Sequence, residues 1–174
     1  NVCHDQLSMH GSLRNQVDYC VVCHNPQLND GEVPVSFSYM VHKIHTGEEM
    51  TEPYLEFDEV LFPGRREECS ICHVEDVPSL PISHDAQPIN FVNTEGHTVM
   101  IPPTTAACTS CHDMSDAVAH AQLNTTAAGK ESCAVCHSTG RIADIGLAHQ
   151  MMEFLNVTEQ IGPLPTGVDS WDLH

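Results

Sequence analysis

Four cysteine pairs with one spacing, Cys20/Cys23, Cys69/Cys72, Cys108/Cys111 and Cys133/Cys136, constrain this chain more than any other feature. A histidine follows the second cysteine each time: His24, His73, His112 and His137. Zinc ribbons, redox dithiols and covalent haem attachment all use paired cysteines, and the next residue separates them. Zinc needs tetrahedral donors and gains nothing from a histidine fixed after every pair. A thioredoxin-like dithiol needs βαβ patterning, which is absent, and a secreted disulfide scaffold places no demand on histidines. A c-type haem does need this order. Its two vinyl groups become thioethers to the two cysteines, and the adjoining histidine lies under the iron as proximal ligand.

The ninth cysteine lies in Asn1-Val2-Cys3-His4, which reads as the end of a fifth motif whose first cysteine would stand before Asn1. Five haem c groups are therefore expected, four with complete motifs and one on Cys3 and His4, and the sequence is expected to start inside a longer chain. Beyond the five motif histidines there are eight others: His10, His42, His45, His84, His97, His120, His149 and His174. Five irons need at most five distal ligands, so bis-histidine coordination throughout is affordable from the chain itself. Such six-coordinate iron passes electrons and does not bind substrate. In Ser38 to His45, helical spacing puts His42 and His45 on one face, where they must cap two different irons. His10, His120 and His149 are in short-loop reach of a haem, whereas His84, His97 and His174 are spare. The seven methionines are read as packing residues, since thioethers commonly fill irregular gaps.

Gaps between motifs are irregular, which excludes a tandem array. Asn25-Pro26, Asn29-Asp30-Gly31, Phe62-Pro63-Gly64 and Ile101-Pro102-Pro103 break long elements. The expected fold is mainly α with extensive coil, short helices around Pro34 to Gly47, Thr104 to Ala121 and Leu147 to Leu155 wrapping closely packed haems, and no convincing strands. Residues 1–150 form the haem domain and 151–174 a tail or linker. Aromatic residues are only 5% of the chain, so porphyrin faces would supply the missing apolar core and no stable fold is expected without them. The crowd of Glu48, Glu49, Glu52, Glu56, Asp58 and Glu59 matches no calcium loop and reads as a solvated segment.

With 24 acidic against 6 basic residues the formal charge is −18, which argues against nucleic acid or an anionic lipid surface as partner. The same balance disfavours a multihaem oxyanion reductase with one open iron, which is the alternative function. No apolar run is long enough for a membrane-spanning helix.

The stretches Cys3 to Gly11, Tyr19 to Pro26, Met40 to Glu48 and Phe62-Pro63-Gly64 together resemble one five-haem domain of the OmcA/MtrC family of outer-membrane decahaem cytochromes, from Asn1 to about Gln150. The resemblance implies an exported electron-transfer protein of the bacterial cell surface rather than an enzyme. It implies minerals, flavins or partner cytochromes as acceptors, and His10, His42, His45, His120 and His149 as distal ligands. That family carries two such domains and this sequence one, which leaves work within a longer chain, or as a subunit stacking haems along a filament, as further possibilities.

Overall fold

The computed structural model describes residues 3–4, 7–73 and 79–149. The first helix, α1 (Val17–Cys23), has Asp18 in its first turn, where an acidic side chain complements the helix dipole. It ends at His24, whose amide still bonds the Cys20 carbonyl at 2.8 Å, and Pro26 follows. A two-residue hairpin of β1 (Asn29–Asp30) and β2 (Val33–Pro34) turns at Gly31. It leads into α2 (Phe37–Thr46), the longest helix described. Gly47 ends α2 with φ +50°, and a Cβ there would collide with the Val60 carbonyl. The chain makes a 3₁₀ turn over Gly47–Glu49 and a second over Cys69–Ile71.

The antiparallel pair β3 (Ile89–Val92) and β4 (Thr98–Ile101) sets Ile89 opposite Ile101 and Val92 opposite Thr98. The Asn93 side-chain oxygen accepts from the amides of Glu95 and His97 and shapes the turn between the strands. This hairpin docks on the second motif through the Asn90 amide, which bonds the Pro26 carbonyl at 2.9 Å. The chain continues through α3 (Pro103–Thr109), α4 (Ser115–Leu123), α5 (Ala134–His137) and α6 (Ile145–Ala148). Proline opens α3, where its missing N–H costs nothing. Glu131 accepts from the Thr104 and Thr105 amides and closes the same helix end.

The expectation of a mainly α fold is corrected. Of the described residues, 34% are helical, 3₁₀ turns included, and 10% are in strands and bridges, with two small sheets where none was expected. The reason is local. Ile89-Asn90-Phe91-Val92 and Thr98-Val99-Met100-Ile101 are β-branched or apolar runs around Asn93-Thr94-Glu95-Gly96, a sequence suited to a hairpin. The single helix expected over Thr104 to Ala121 is two, because the Cys111-His112 loop interrupts it. The expected Leu147 to Leu155 helix is met by α6 up to Ala148; from Gln150 onward it lies outside the described residues, as do the 151–174 tail and His174.

Among the described residues only Val35, Tyr54, Ile89 and Ala106 form a buried apolar core. Tyr54 anchors it by donating to the Pro34 carbonyl at 2.7 Å. Leu13, Val22, Ile142 and Leu147 are more than 70% exposed. At about 25 cal/mol per Å² of apolar burial, four small contributions leave the ordering entropy largely unopposed. All six residues of the acidic segment from Glu48 to Glu59 face solvent.

Candidate functional site

Every complete motif closes in the same way. The histidine amide bonds the carbonyl of the first cysteine: His24 to Cys20 at 2.8 Å, His73 to Cys69 at 2.8 Å, His112 to Cys108 at 2.8 Å and His137 to Cys133 at 2.9 Å. One helical turn therefore sets two sulfurs and one imidazole side by side, whether it belongs to a helix or a 3₁₀ turn. All nine cysteines are free thiols, Cys3, Cys23, Cys72, Cys108, Cys111 and Cys136 on the surface and Cys20, Cys69 and Cys133 partly covered.

Each motif histidine faces one histidine from elsewhere in the chain. The ring-centre distances are 6.2 Å for His4 with His45, 6.0 Å for His24 with His10, and 6.2 Å for His73 with His42. They are 6.1 Å for His112 with His149 and 6.1 Å for His137 with His120. The separation is constant, but the interplanar angle runs from 16° to 82°. Direct ring packing couples angle to distance. Two imidazoles bonded at about 2 Å to a metal between them would instead keep their centres about 6 Å apart and rotate freely.

No group of three or more histidine, cysteine or acidic side chains able to hold a metal is found among the described residues. Two facing imidazoles leave a zinc ion short of ligands, whereas haem brings four nitrogens of its own and asks only for the two axial ones. Paired thiols in four of the motifs, the single Cys3 in the other, and the exposed apolar side chains of the chain suit the same group. The residues fit haem c.

Four of the five pairs contain one imidazole anchored by its Nδ1. His24 meets the Val35 carbonyl at 2.7 Å, His45 that of Val41 at 2.8 Å, His137 that of Ala143 at 3.0 Å, and His149 that of Ile145 at 2.9 Å. A proton on Nδ1 donated to a carbonyl leaves the Nε2 lone pair free for a metal and fixes the ring's direction. The His42–His73 pair differs. His42 Nδ1 is buried with no hydrogen-bond partner. Burial, followed by the proximity of His73 and His45, holds the His42 pKa below the ordinary imidazole value.

The motifs are tied to one another as well as to their ligands. Lys43, between His42 and His45, is buried and pairs at 3.4 Å with Asp113, the residue after His112. Burial pushes the Asp113 carboxyl up, but the amides of Thr51 and Glu52 and the Lys43 ammonium outweigh it and hold the group below the usual range. The Thr46 hydroxyl lies 3.2 Å from Cys111 Sγ. Cys108 keeps an exposed edge, but the crowding of its thiol by surrounding atoms, then Cys133, Glu131 and Cys111, push it up to about 11. Burial raises Cys69 too, with Cys111 among its neighbours. Cys69 and Cys111, of the third and fourth motifs, thus lie within electrostatic reach of each other, as do Cys108 and Cys133 of the fourth and fifth.

His84 and His97 stand apart. Their side chains are 93% and 74% exposed and neighbour only Asp85 and Glu95. Sequence reasoning missed the Lys43–Asp113 pair, for which adjacency to three candidate ligands was the one available signal. The anchoring carbonyls of Val41 and Ile145 were within its reach, since each lies four residues before its histidine on a helix.

Residues 1–150 match the family model described as outer membrane cytochrome MtrC/MtrF-like, domains II/IV. No curated protein and no solved structure shows a significant match.

Proposed function

Since the chain belongs to the MtrC/MtrF-like outer membrane cytochromes, electron-transfer proteins of the cell surface, we propose that it holds five haem c groups in a single electron path, each between two imidazoles. The observation that carries this reading is the pairing of all five motif histidines, each with a different non-motif histidine, at 6.0 to 6.2 Å. When bound, haem supplies reversible one-electron exchange at iron.

The protein's own residues do the rest. Cys20/Cys23, Cys69/Cys72, Cys108/Cys111 and Cys133/Cys136, with Cys3, fasten the groups. His4, His24, His73, His112 and His137 are the proximal ligands. His45, His10, His42, His149 and His120 are, in the same order, the distal ones, and close each iron to substrate. Carbonyls of Val35, Val41, Ala143 and Ile145 fix four of these rings, so little reorganisation accompanies a change of charge.

The chain also supports an order. His4 and His10 share one short segment, which joins the first site to the second. Helix α2 joins the first to the third through His45 and His42. Electrostatic reach between Cys69 and Cys111 joins the third to the fourth, and between Cys108 and Cys133 the fourth to the fifth. The path therefore runs second, first, third, fourth, fifth. Its partners are other multihaem cytochromes, copies of itself, or extracellular acceptors such as metal oxides and flavins.

The test uses the mature holoprotein. Mass spectrometry is expected to count five haem additions, and electron paramagnetic resonance of the oxidised protein to contain low-spin signals only. A high-spin fraction that shifts on adding nitrite would overturn the closed-site reading in favour of an oxyanion reductase.

A further inference from the structure

We infer that the His42–His73 pair is the least electron-donating of the five facing imidazole pairs, so that the site it forms takes the first electron when the protein is reduced. This rests on the bis-imidazole reading above and adds an order of filling to it.

The pairs are not equivalent. In four of them one imidazole donates its Nδ1 proton to a backbone carbonyl, at 2.7 to 3.0 Å. Such a bond pushes electron density toward Nε2, raises the basicity of the ligand and favours the more oxidised metal. Among the described residues the His42–His73 pair has no such bond. His73 lies at the surface, but His42 Nδ1 is both out of reach of solvent and without an acceptor.

Helix α2 makes the contrast internal. His45 turns back one turn to the Val41 carbonyl, while His42, on the same helix, makes no equivalent bond to Ser38. Burial on the His42 side acts in the same direction, because poor solvation there disfavours the additional positive charge of the oxidised iron. The nearest fixed charges do not reverse this: Lys43, the next residue, is matched by Asp113. The site that fills first then lies in the middle of the proposed path, with two sites on either side.

The experiment labels one component of a stepwise reduction by dithionite, which supplies one electron per iron. In the holoprotein, His42→Met and His149→Met each exchange one distal imidazole for a thioether, which raises the potential at that site. Haem count by mass and the low-spin signals of the unaltered protein are recorded first; their failure would strike the five-haem reading and not the order. The component displaced by His42→Met is expected to be the first reduced in the unaltered protein. It should lead the next by about tenfold in reduced-to-oxidised ratio, about 59 mV for one electron. His149→Met should displace a later one. If His42→Met displaces the second or any later component, the inference is overturned. Should that variant fail to mature, His42→Lys keeps a nitrogen ligand and marks the same component for the same comparison.

Discussion

The two halves of the molecule deliver their histidines in opposite ways. In the half made of residues 3–4 and 7–73 one helix serves two motifs: α2 presents His42 to His73 and His45 to His4. In residues 103–149 two segments trade. The stretch after the fourth motif supplies His120 to His137, and the stretch after the fifth supplies His149 to His112. On the proposed reading, damage to a shared helix would remove two ligands at once. Damage to a trading segment would remove one and leave its counterpart held by the other strand of the exchange.

The largest expected effect erases that contrast. Protein prepared without haem should lose cooperative unfolding in both halves, read by denaturant melts and amide NMR dispersion, because four buried apolar side chains cannot offset about 1 kcal/mol or more of backbone entropy per residue. A surviving cooperative transition confined to residues 103–149 would show that the trading half folds by itself.

Proline in each helix sharpens the comparison, at about 3 kcal/mol per interior substitution. Ile44→Pro lies between His42 and His45 and should convert two of the five low-spin sites to high spin. Ala119→Pro, in α4, should convert one. Integrated electron paramagnetic resonance signals give the count, and equal conversion by the two variants would break the distinction between sharing and trading.

The seam between the halves is the buried Lys43–Asp113 pair. Lys43→Met or Asp113→Asn alone leaves a buried charge unmatched and should cost about 3 kcal/mol of holoprotein stability, whereas the double variant should cost less than either. A double-variant cycle by chemical denaturation reads this directly; simple additivity would remove the pair as the link. The smallest effect belongs to Glu131→Gln, which weakens the cap of α3 by about 1 kcal/mol, within the trading half alone.

Much of the candidate site was legible because its chemistry fixes residue order over short distances. Cys-x-x-Cys-His carries its own geometry, and the same-face placement of His42 and His45 follows from helical period. His10, His42, His45, His120 and His149 each face a motif histidine, whereas His84 and His97 lie at the surface beside Asp85 and Glu95. Which one faces which was not legible, since His120 is closer in sequence to His112 than to the His137 it meets. Proximity along a chain says little once loops cross. The fold class was misjudged for a related reason. Ile89–Val92 and Thr98–Ile101 are four residues each, too short to show a clear alternation between prolines, and irregular segments have no period to read.

The exchange between His120 and His149 also bears on how such a chain is put together. Emerging N-terminus first, it presents Cys108, Cys111 and His112 well before His149, which follows the last motif. On the proposed pairing the fourth centre would gain its second imidazole only after the fifth motif has emerged, whereas the fifth would find His120 already in place, and a chain truncated between the two motifs would leave the fourth iron with one imidazole.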